Sequence, residues 1–383
     1  MTKLYIDVET YSDVDIIKAG HQRYARDPST RLLLLAWALD DSPVKVVDVA
    51  HGETIPDHLM AMFADSAVEK WAHNAAFERA ILEFVAGIPC PPEQWRCTMV
   101  HASSLGLPSS LGKLALEILK DQHKLDPGKD LLRMFCMPEG GGPGNPLNEP
   151  RWPEFVEYNR VDVEVLRSIE LKLRVFPVPE PEWRLWALDQ HIHDRGLPID
   201  MPFLRAAAAL GESHKATVMG ESRETTGLDN PNSRTQLLQW LKDSGVDVPN
   251  LQAGTVDALL ERKELPAPVR DALEQRQQLS MSSLAKYGTL LEAVAADERL
   301  RGVFQFCGAS TGRWASRLFN AQNLPRGILK EHDLVPARDY VLRNDTQMIQ
   351  MLWGDVSGVL SSLVRSAIHA PKNHQLVVAD YAS

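Results

Sequence analysis

Residues 3–9 read Lys3-Leu4-Tyr5-Ile6-Asp7-Val8-Glu9. Apolar Leu4, Ile6 and Val8 alternate with their neighbours, the period of two that marks a β-strand. Side chains two apart on a strand share a face, so Asp7 and Glu9 point the same way. Working outward, Leu32–Leu39 predicts a second strand and Val44–Val49 a third, with Asp40-Asp41-Ser42-Pro43 as the hairpin turn between them. A short buried strand ends at Lys70-Trp71-Ala72-His73. Asn74 then opens a helix that carries Phe77, Ala80, Ile81, Phe84 and Val85 at helical spacing. Trp152-Pro153-Glu154-Phe155 begins a further helix, with proline at an early position, running through Tyr158, Val161, Asp162, Val165 and Leu166. Strands in mixed order with helices between them predict an α/β domain.

The chain has 383 residues, enough for two or three domains. Hydrophobic residues make up 44% and charged residues 24%, the profile of a globular protein. No stretch approaches the roughly 20 apolar residues of a membrane span, so no membrane partner is expected. The start, MTKLYIDVET, lacks the basic and apolar regions of a signal peptide. The four cysteines, Cys90, Cys97, Cys136 and Cys307, form no C-x-x-C, which argues against a zinc ribbon or a disulfide scaffold and fits a reducing, cytoplasmic setting.

The net charge of −10 speaks against indiscriminate binding of polyanions. Its distribution is uneven. Residues 1–180 hold 19 Lys and Arg against 27 Asp and Glu, whereas residues 301–383 hold 9 against 6. Polyanion contacts are therefore expected towards the C-terminal part, and an acidic metal centre in the first.

Residues 138–151, PEGGGPGNPLNEPR, read as a loop, and Phe176-Pro177-Val178-Pro179-Glu180-Pro181 as an extended linker. Helical spacing recurs over Trp183–Asp194, Met201–Thr225, Ser233–Ser244, Thr255–Arg262 and Pro266–Ala295. Beyond residue 301 the texture turns to short strands and loops, ending on a strand at Gln375–Asp380.

Three distant pieces carry acids that a sheet and two helices can gather. Glu78 follows Asn74 by four, and Asp162 follows Tyr158 by four, each pair on one helix face. With Asp7 and Glu9 they make four carboxylates and a phenol. Such a cluster repels itself unless cations hold it. Hard oxygen ligands suit Mg²⁺ or Mn²⁺, and a pair of such ions serves phosphodiester hydrolysis. Taken singly, D-x-E-T occurs by chance and a Tyr four before an Asp is commonly a solvated face; it is the ordered set that carries weight.

D-V-E-T at 7–10, H-N-A-A-F-E at 73–78 and Y-N-R-V-D at 158–162 together resemble the three exonuclease motifs of the DEDD superfamily, in the subclass with tyrosine in the third. The resemblance implies an RNase H-like fold and removal of nucleotides from 3′ ends. It implies metal ligation of two ions by Asp7, Glu9, Glu78 and Asp162, with Tyr158 orienting the attacking water, and a DNA contact at Asn74. The second motif departs from the family in carrying Glu78 where Asp is usual.

Residues 308–326, GASTGRWASRLFNAQNLPR, resemble the T-G-R…N-x-Q-N-x-P segment of family A DNA polymerases of the bacterial polymerase I and bacteriophage type. Thr311, Gly312, Arg313, Asn320, Gln322, Asn323 and Pro325 match in place. The resemblance implies primer–template contact along the minor groove, where Arg, Asn and Gln can bond the acceptors that every base pair presents. Asp194–Asp200 resembles the opening of the polymerase domain. Gln275-Arg276-Gln277 and Ser283–Tyr287 resemble the end of the thumb helices, with Arg276 and Lys286 as implied phosphate contacts. Val377–Ser383 resembles motif A, whose aspartate, here Asp380, is a metal ligand.

The expectation is an N-terminal portion of a family A polymerase: 3′–5′ exonuclease over 1–175, thumb over 182–300, and a partial palm over 301–383. Its DNA partners would be single-stranded 3′ ends and primer–template, in the cytoplasm of a bacterial host if phage-encoded. A lone Asp380 builds no two-metal polymerase site, so two alternatives stay open: the chain is a fragment, or a second polypeptide supplies the rest of the palm and the fingers. Two other readings stay open. One is a stand-alone exonuclease of the RNase D kind; the other is a non-catalytic DNA- or partner-binding module on a degenerate exonuclease fold.

Overall fold

The first strand, β1 (Thr2–Tyr11), pairs antiparallel with β2 (Arg31–Leu39), which pairs antiparallel with β3 (Lys45–Asp48). On its other side β1 runs parallel to β4 (Val68–Ala72), and β4 parallel to β5 (Trp95–Cys97). The order is β3-β2-β1-β4-β5, which makes β1 central. These relations come from a computed structural model that describes residues 2–120, 128–137, 149–280, 282–324 and 327–379. The β2 sequence RLLLLAWAL is apolar without alternation because helices cover both faces of the sheet, and Leu32–Ala38 are all buried. The β2–β3 turn lies at the expected place: Ser42 N–H donates to Leu39 O at 2.9 Å, and Asp40 takes a left-handed φ of 46°.

Helices α1 (Ile16–Arg26), α2 (Asp57–Ala64), α3 (Ala75–Phe84), α4 (Thr98–Ser104), α5 (Leu111–Leu119), α6 (Gly128–Cys136), α7 (Trp152–Leu173) and α8 (Glu180–Arg195) surround this sheet. The long α7 packs on β1, β2 and β3. Its start is fixed by Pro153 in the first turn, as the sequence predicts. The chain divides into two compact units. Residues Met1–Leu197 with Ala293–Asn320 form the first, and Pro198–Glu292 with Ala321–Ser383 the second. The returning segment of the first unit carries a small hairpin, β8 (Phe304–Gln305) with β9 (Ala315–Ser316), numbered after the two-residue strands β6 (Leu197–Pro198) and β7 (Arg299–Leu300).

The second unit is helical: α9 (Met201–Thr226), α10 (Arg234–Asp243), α11 (Ala253–Leu260), α12 (Ala267–Ser280), α13 (Ser282–Ala293), α14 (Leu334–Leu342), α15 (Thr346–Trp353) and α16 (Val356–Leu363). Asp200 caps α9 by accepting from Phe203 N at 3.0 Å and pairs with Arg338. The α9 face packs on α12, α14 and α16. Leu237, Leu241, Val256, Leu259, Val269 and Leu273 form a satellite core under α10–α12. The Tyr287 hydroxyl donates to Leu360 O at 2.7 Å and ties α13 to α16.

Three expectations need correction. The proline-rich stretch 176–181 is not linker to its end: Glu180 and Pro181 form the first turn of α8, where a missing N–H costs nothing. Residues 334–363 are helical, not strand and loop. Asp345 and Asp355 cap α15 and α16 by accepting from Met348 N (3.0 Å) and Gly358 N (2.8 Å), and Gly354 ends α15 at a left-handed φ of 72°. No strand is assigned over 375–379, where Leu376, Val377 and Val378 are exposed; Asp380 lies outside the described residues.

Candidate active site and nucleic-acid contacts

The strand face that carries Asp7 and Glu9 is turned to α7. The parity of the strand shows it: Tyr5 donates to Glu170 Oε2 at 2.9 Å, and Lys3 pairs with Glu170 Oε1 at 2.6 Å. Two residues further along the same face, Asp7 Oδ2 accepts from Asn159 Nδ2 at 2.7 Å. The ladder shifts register between Glu9 and Thr10, since Glu9 stands opposite Leu34 and Thr10 opposite Leu32. This bulge bends the strand just past the acids.

Carboxylate oxygens of Asp7, Glu9 and Asp162 lie within 4.8 Å of one another. Glu9 and Asp162 are buried and Asp7 partly so. Glu78 is outside this tight trio but close by. It is 3% exposed, and its Oε2 has no hydrogen-bond partner among the described residues. Burial first, then the charges of Asp7 and Glu9, push its carboxyl well above the ordinary range. The Tyr158 hydroxyl bonds Asp162, and its pKa is raised by burial, then by Asp162, Glu9 and Asp7, so the phenol stays protonated. Its ring is clamped in a cluster with Leu131, Phe135, Trp152 and Phe155. Gly128 abuts it, for a Cβ there would lie 2.5 Å from Tyr158 Cε2.

Hard oxygen donors that converge from β1 and α7, with a buried orphan carboxylate oxygen beside them, fit a divalent cation. Two neighbours of this cluster escaped the sequence reading. Asn159 is fully buried, and its Oδ1 is without a hydrogen-bond partner among the described residues. Its position inside Y-N-R-V-D, three before Asp162, was the available signal. Cys136, at the end of α6, donates its thiol to Glu9 Oε2 across 3.8 Å; burial, then Glu9, hold it protonated. No signal in the sequence linked it to Glu9.

Asn74 takes a left-handed φ of 77° before α3 and makes no side-chain cap bond. Thr311, Gly312 and Arg313 form the exposed tip of the β8–β9 hairpin, with Gly312 at φ 78° and its N–H donating to Ala309 O at 2.9 Å. Asn320 is exposed and accepts from Ser316 Oγ at 2.9 Å. Trp314 Nε1 donates to Asp189 at 2.7 Å and braces the hairpin. In the second unit Gln322 and Asn323 are exposed, and Lys286 Nζ donates to Asn323 O at 3.3 Å, which brings those two expected contacts together. Arg276 is instead engaged with Asn232. Pro325 and Asp380 lie outside the described residues.

Among the described residues no helix is long and apolar enough to cross a membrane. No family model matches the chain. Among solved structures it is similar to the POL domain of Pol1 from M. smegmatis, in complex with DNA primer-template and dNTP. The TM-score is 0.57 at 19% identity, covering 88% of this chain and 53% of that one, which is a likeness of fold. The apo form of a nuclease matches half of the chain at a TM-score of 0.34, too low to establish a shared fold. Among curated proteins the chain is 39% identical to the DNA polymerase of Bacillus phage SP02 over a 392-residue alignment that takes in 100% of this chain. It spans about 60% of that relative's length. The chain is a homologue of a phage DNA polymerase.

Proposed function

We propose that the first unit is a metal-dependent 3′–5′ exonuclease of the DEDD type, the proofreading part of a family A DNA polymerase, acting in the cytoplasm of a bacterial host. The observation that carries this reading is the meeting of Asp7, Glu9 and Asp162 from segments some 150 residues apart, with Glu78 and Tyr158 packed against them. The mixed sheet with its β3-β2-β1-β4-β5 order supports an RNase H-like fold.

Asp7, Glu9 and Asp162 would hold two Mg²⁺ or Mn²⁺ ions, with Glu78 contributing to the second. When bound, these ions supply an activated water and offset charge on the departing 3′ oxygen. Asn159 holds one oxygen of Asp7 in place. Tyr158, protonated and fixed by its aromatic neighbours, orients the attacking water as a hydrogen-bonding group rather than as a base. Attack in line on the terminal phosphodiester releases a nucleoside 5′-monophosphate. Thr311, Arg313, Asn320, Gln322 and Asn323 are the proposed minor-groove contacts to primer–template, with Arg276 and Lys286 on phosphates and Asn74 on the strand entering the exonuclease. Asp380 is the proposed metal ligand of motif A.

The test is hydrolysis of 5′-labelled single-stranded DNA with Mg²⁺. Asp7→Ala should abolish stepwise 3′ shortening, and Tyr158→Phe should slow it while cation binding persists. Undiminished cleavage by Asp7→Ala defeats the proposal. Preference for RNA would favour the RNase D kind, and no metal-dependent cleavage a binding module.

A further inference from the structure

A cavity of about 430 Å³ opens within the first unit, lined by α1, the β4–α3 connection with Asn74, the β5–α4 segment, the start of α5, the second half of α8 and the β8–β9 hairpin. That is the size of a small-molecule site, and none of Asp7, Glu9, Glu78 or Asp162 lines it. His193 on α8 lines it, 4% exposed; among the described residues neither ring nitrogen makes a hydrogen bond, and Nδ1 stands 3.7 Å from Asp189 Oδ2, so it is Nε2 that lacks any polar neighbour. His21 on α1 also lines it and leaves a buried Nε2 without a hydrogen-bond partner among the described residues. Buried polar atoms in folded proteins are nearly always satisfied, so the two Nε2 atoms beside one cavity point to a ligand that meets them. Burial depresses both rings, His21 to about 3, so both are neutral at ordinary pH. A neutral imidazole offers one donor and one acceptor, the complement of a nucleobase edge with adjacent N–H and C=O groups. Phe306 and Leu318 supply apolar walls for a flat ring. At the exposed rim stands Arg317, the one Lys or Arg among the described lining residues, its Nε donating to Gln305 at 2.7 Å.

We propose that this cavity binds a nucleotide, with the base against His21 and His193 and the phosphate at Arg317. The chemistry is shared by a free nucleoside monophosphate and by a nucleotide within a single strand. Neither depends on the acidic cluster, but Asn74, proposed above for the strand entering the exonuclease, also lines the cavity, so the single-strand case rests on that reading and the free-monophosphate case does not.

Equilibrium dialysis of the full chain against labelled dTMP, in EDTA, removes cation-dependent binding from the measurement. We expect saturable 1:1 uptake of dTMP, at least fivefold weaker uptake of thymidine, and none of inorganic phosphate at the same concentrations. Arg317→Ala should erase the difference between dTMP and thymidine while sparing thymidine, because only the rim is changed. His193→Phe should remove binding of both; if that variant misfolds, the Arg317→Ala comparison still decides. Asp7→Ala should bind dTMP as the parent does. Competition by unlabelled dT8 assigns the cavity to a nucleotide of the strand, and lack of competition to the free monophosphate. No saturable uptake, uptake indifferent to Arg317→Ala, or uptake lost in Asp7→Ala overturns the inference.

Discussion

Replacing Asn159 by leucine tests whether the acidic cluster is a built cation site or an accident of packing. The amide donates to Asp7 Oδ2 at 2.7 Å, a hydrogen bond to a charged acceptor inside a buried site. Such bonds contribute about 1.5–3 kcal/mol. If that energy serves to hold Asp7 in its ligating pose, its loss weakens cation binding by about tenfold for each 1.4 kcal/mol, hence by about 10- to 100-fold. Groups that orient metal ligands in other proteins show losses of the same size. The fold should tolerate the change better than the site does, because leucine also removes the orphan Oδ1 and with it the penalty of a buried unpaired acceptor. Titration of Mn²⁺ followed by the EPR signal of the free ion reads the affinity directly, without turnover. Asp7→Ala calibrates the scale. If Asp7→Ala loses Mn²⁺ while Asn159→Leu binds within about twofold of the parent, the amide does not position Asp7 and this reasoning fails. If Asp7→Ala binds as the parent, the cluster holds no cation.

Gly128→Ala places a methyl 2.5 Å from the Tyr158 ring; the ring is buried among aromatics and cannot swing away cheaply, so cleavage should slow at least as much as in Tyr158→Phe, and parent-like rates would refute the clamp. Glu78→Gln should stabilise the cation-free protein at neutral pH. Its folded pKa is raised, so the parent loses stability as pH rises above the carboxyl's unfolded value; the gain in melting temperature should vanish below about pH 4, where both states are protonated, and a pH-independent gain would contradict it. The same sign makes the thermal shift caused by Mg²⁺ grow with pH in the parent. Asp355→Ala removes a cap at 2.8 Å and should cost about 1 kcal/mol in chemical denaturation; no change would show that α16 is held by packing alone.

The acids of β1 were legible because strand parity is a local rule. Alternation across residues 3–9 sets the face of Asp7 and Glu9 whatever else the chain does. The α3 helix and the Tyr158–Asp162 pairing were legible in the same way, from helical spacing. Residues 334–363 were misread because the punctuation was overlooked: Asp345 and Asp355 each stand three residues before the amide they cap, and Gly354 stops the first of the two helices. Cys136 and the cavity histidines depend on which helices meet, and no spacing rule within one segment encodes that.

What no local rule supplies is the offset between β1 and α7, and there the Glu170 contacts are decisive. Lys3 and Tyr5 both bond Glu170, which is 1% exposed, and together they pin one end of the helix to one end of the strand. From Lys3 to Asp7 is four residues of strand, about 13 Å at 3.3 Å each. From Glu170 back to Asp162 is eight residues of helix, about 12 Å at 1.5 Å each. From Tyr5, which also bonds Glu170, the strand length is about 7 Å, so the two anchors bracket about 7–13 Å of strand against about 12 Å of helix, and a helix registered by Glu170 brings Asp162 into the neighbourhood of Asp7. Lysine and tyrosine at the start of β1 therefore bear on chemistry at its end. Glu170→Leu takes the shared partner from Lys3, Tyr5 and Arg174; because the Lys3 side chain is 23% exposed, the cost falls short of the roughly 3–5 kcal/mol of a fully buried pair. If the register argument holds, the variant should lose Mn²⁺ affinity as well as stability, and Mn²⁺ binding unchanged in a folded Glu170→Leu protein would show that Asp162 reaches Asp7 without this anchor.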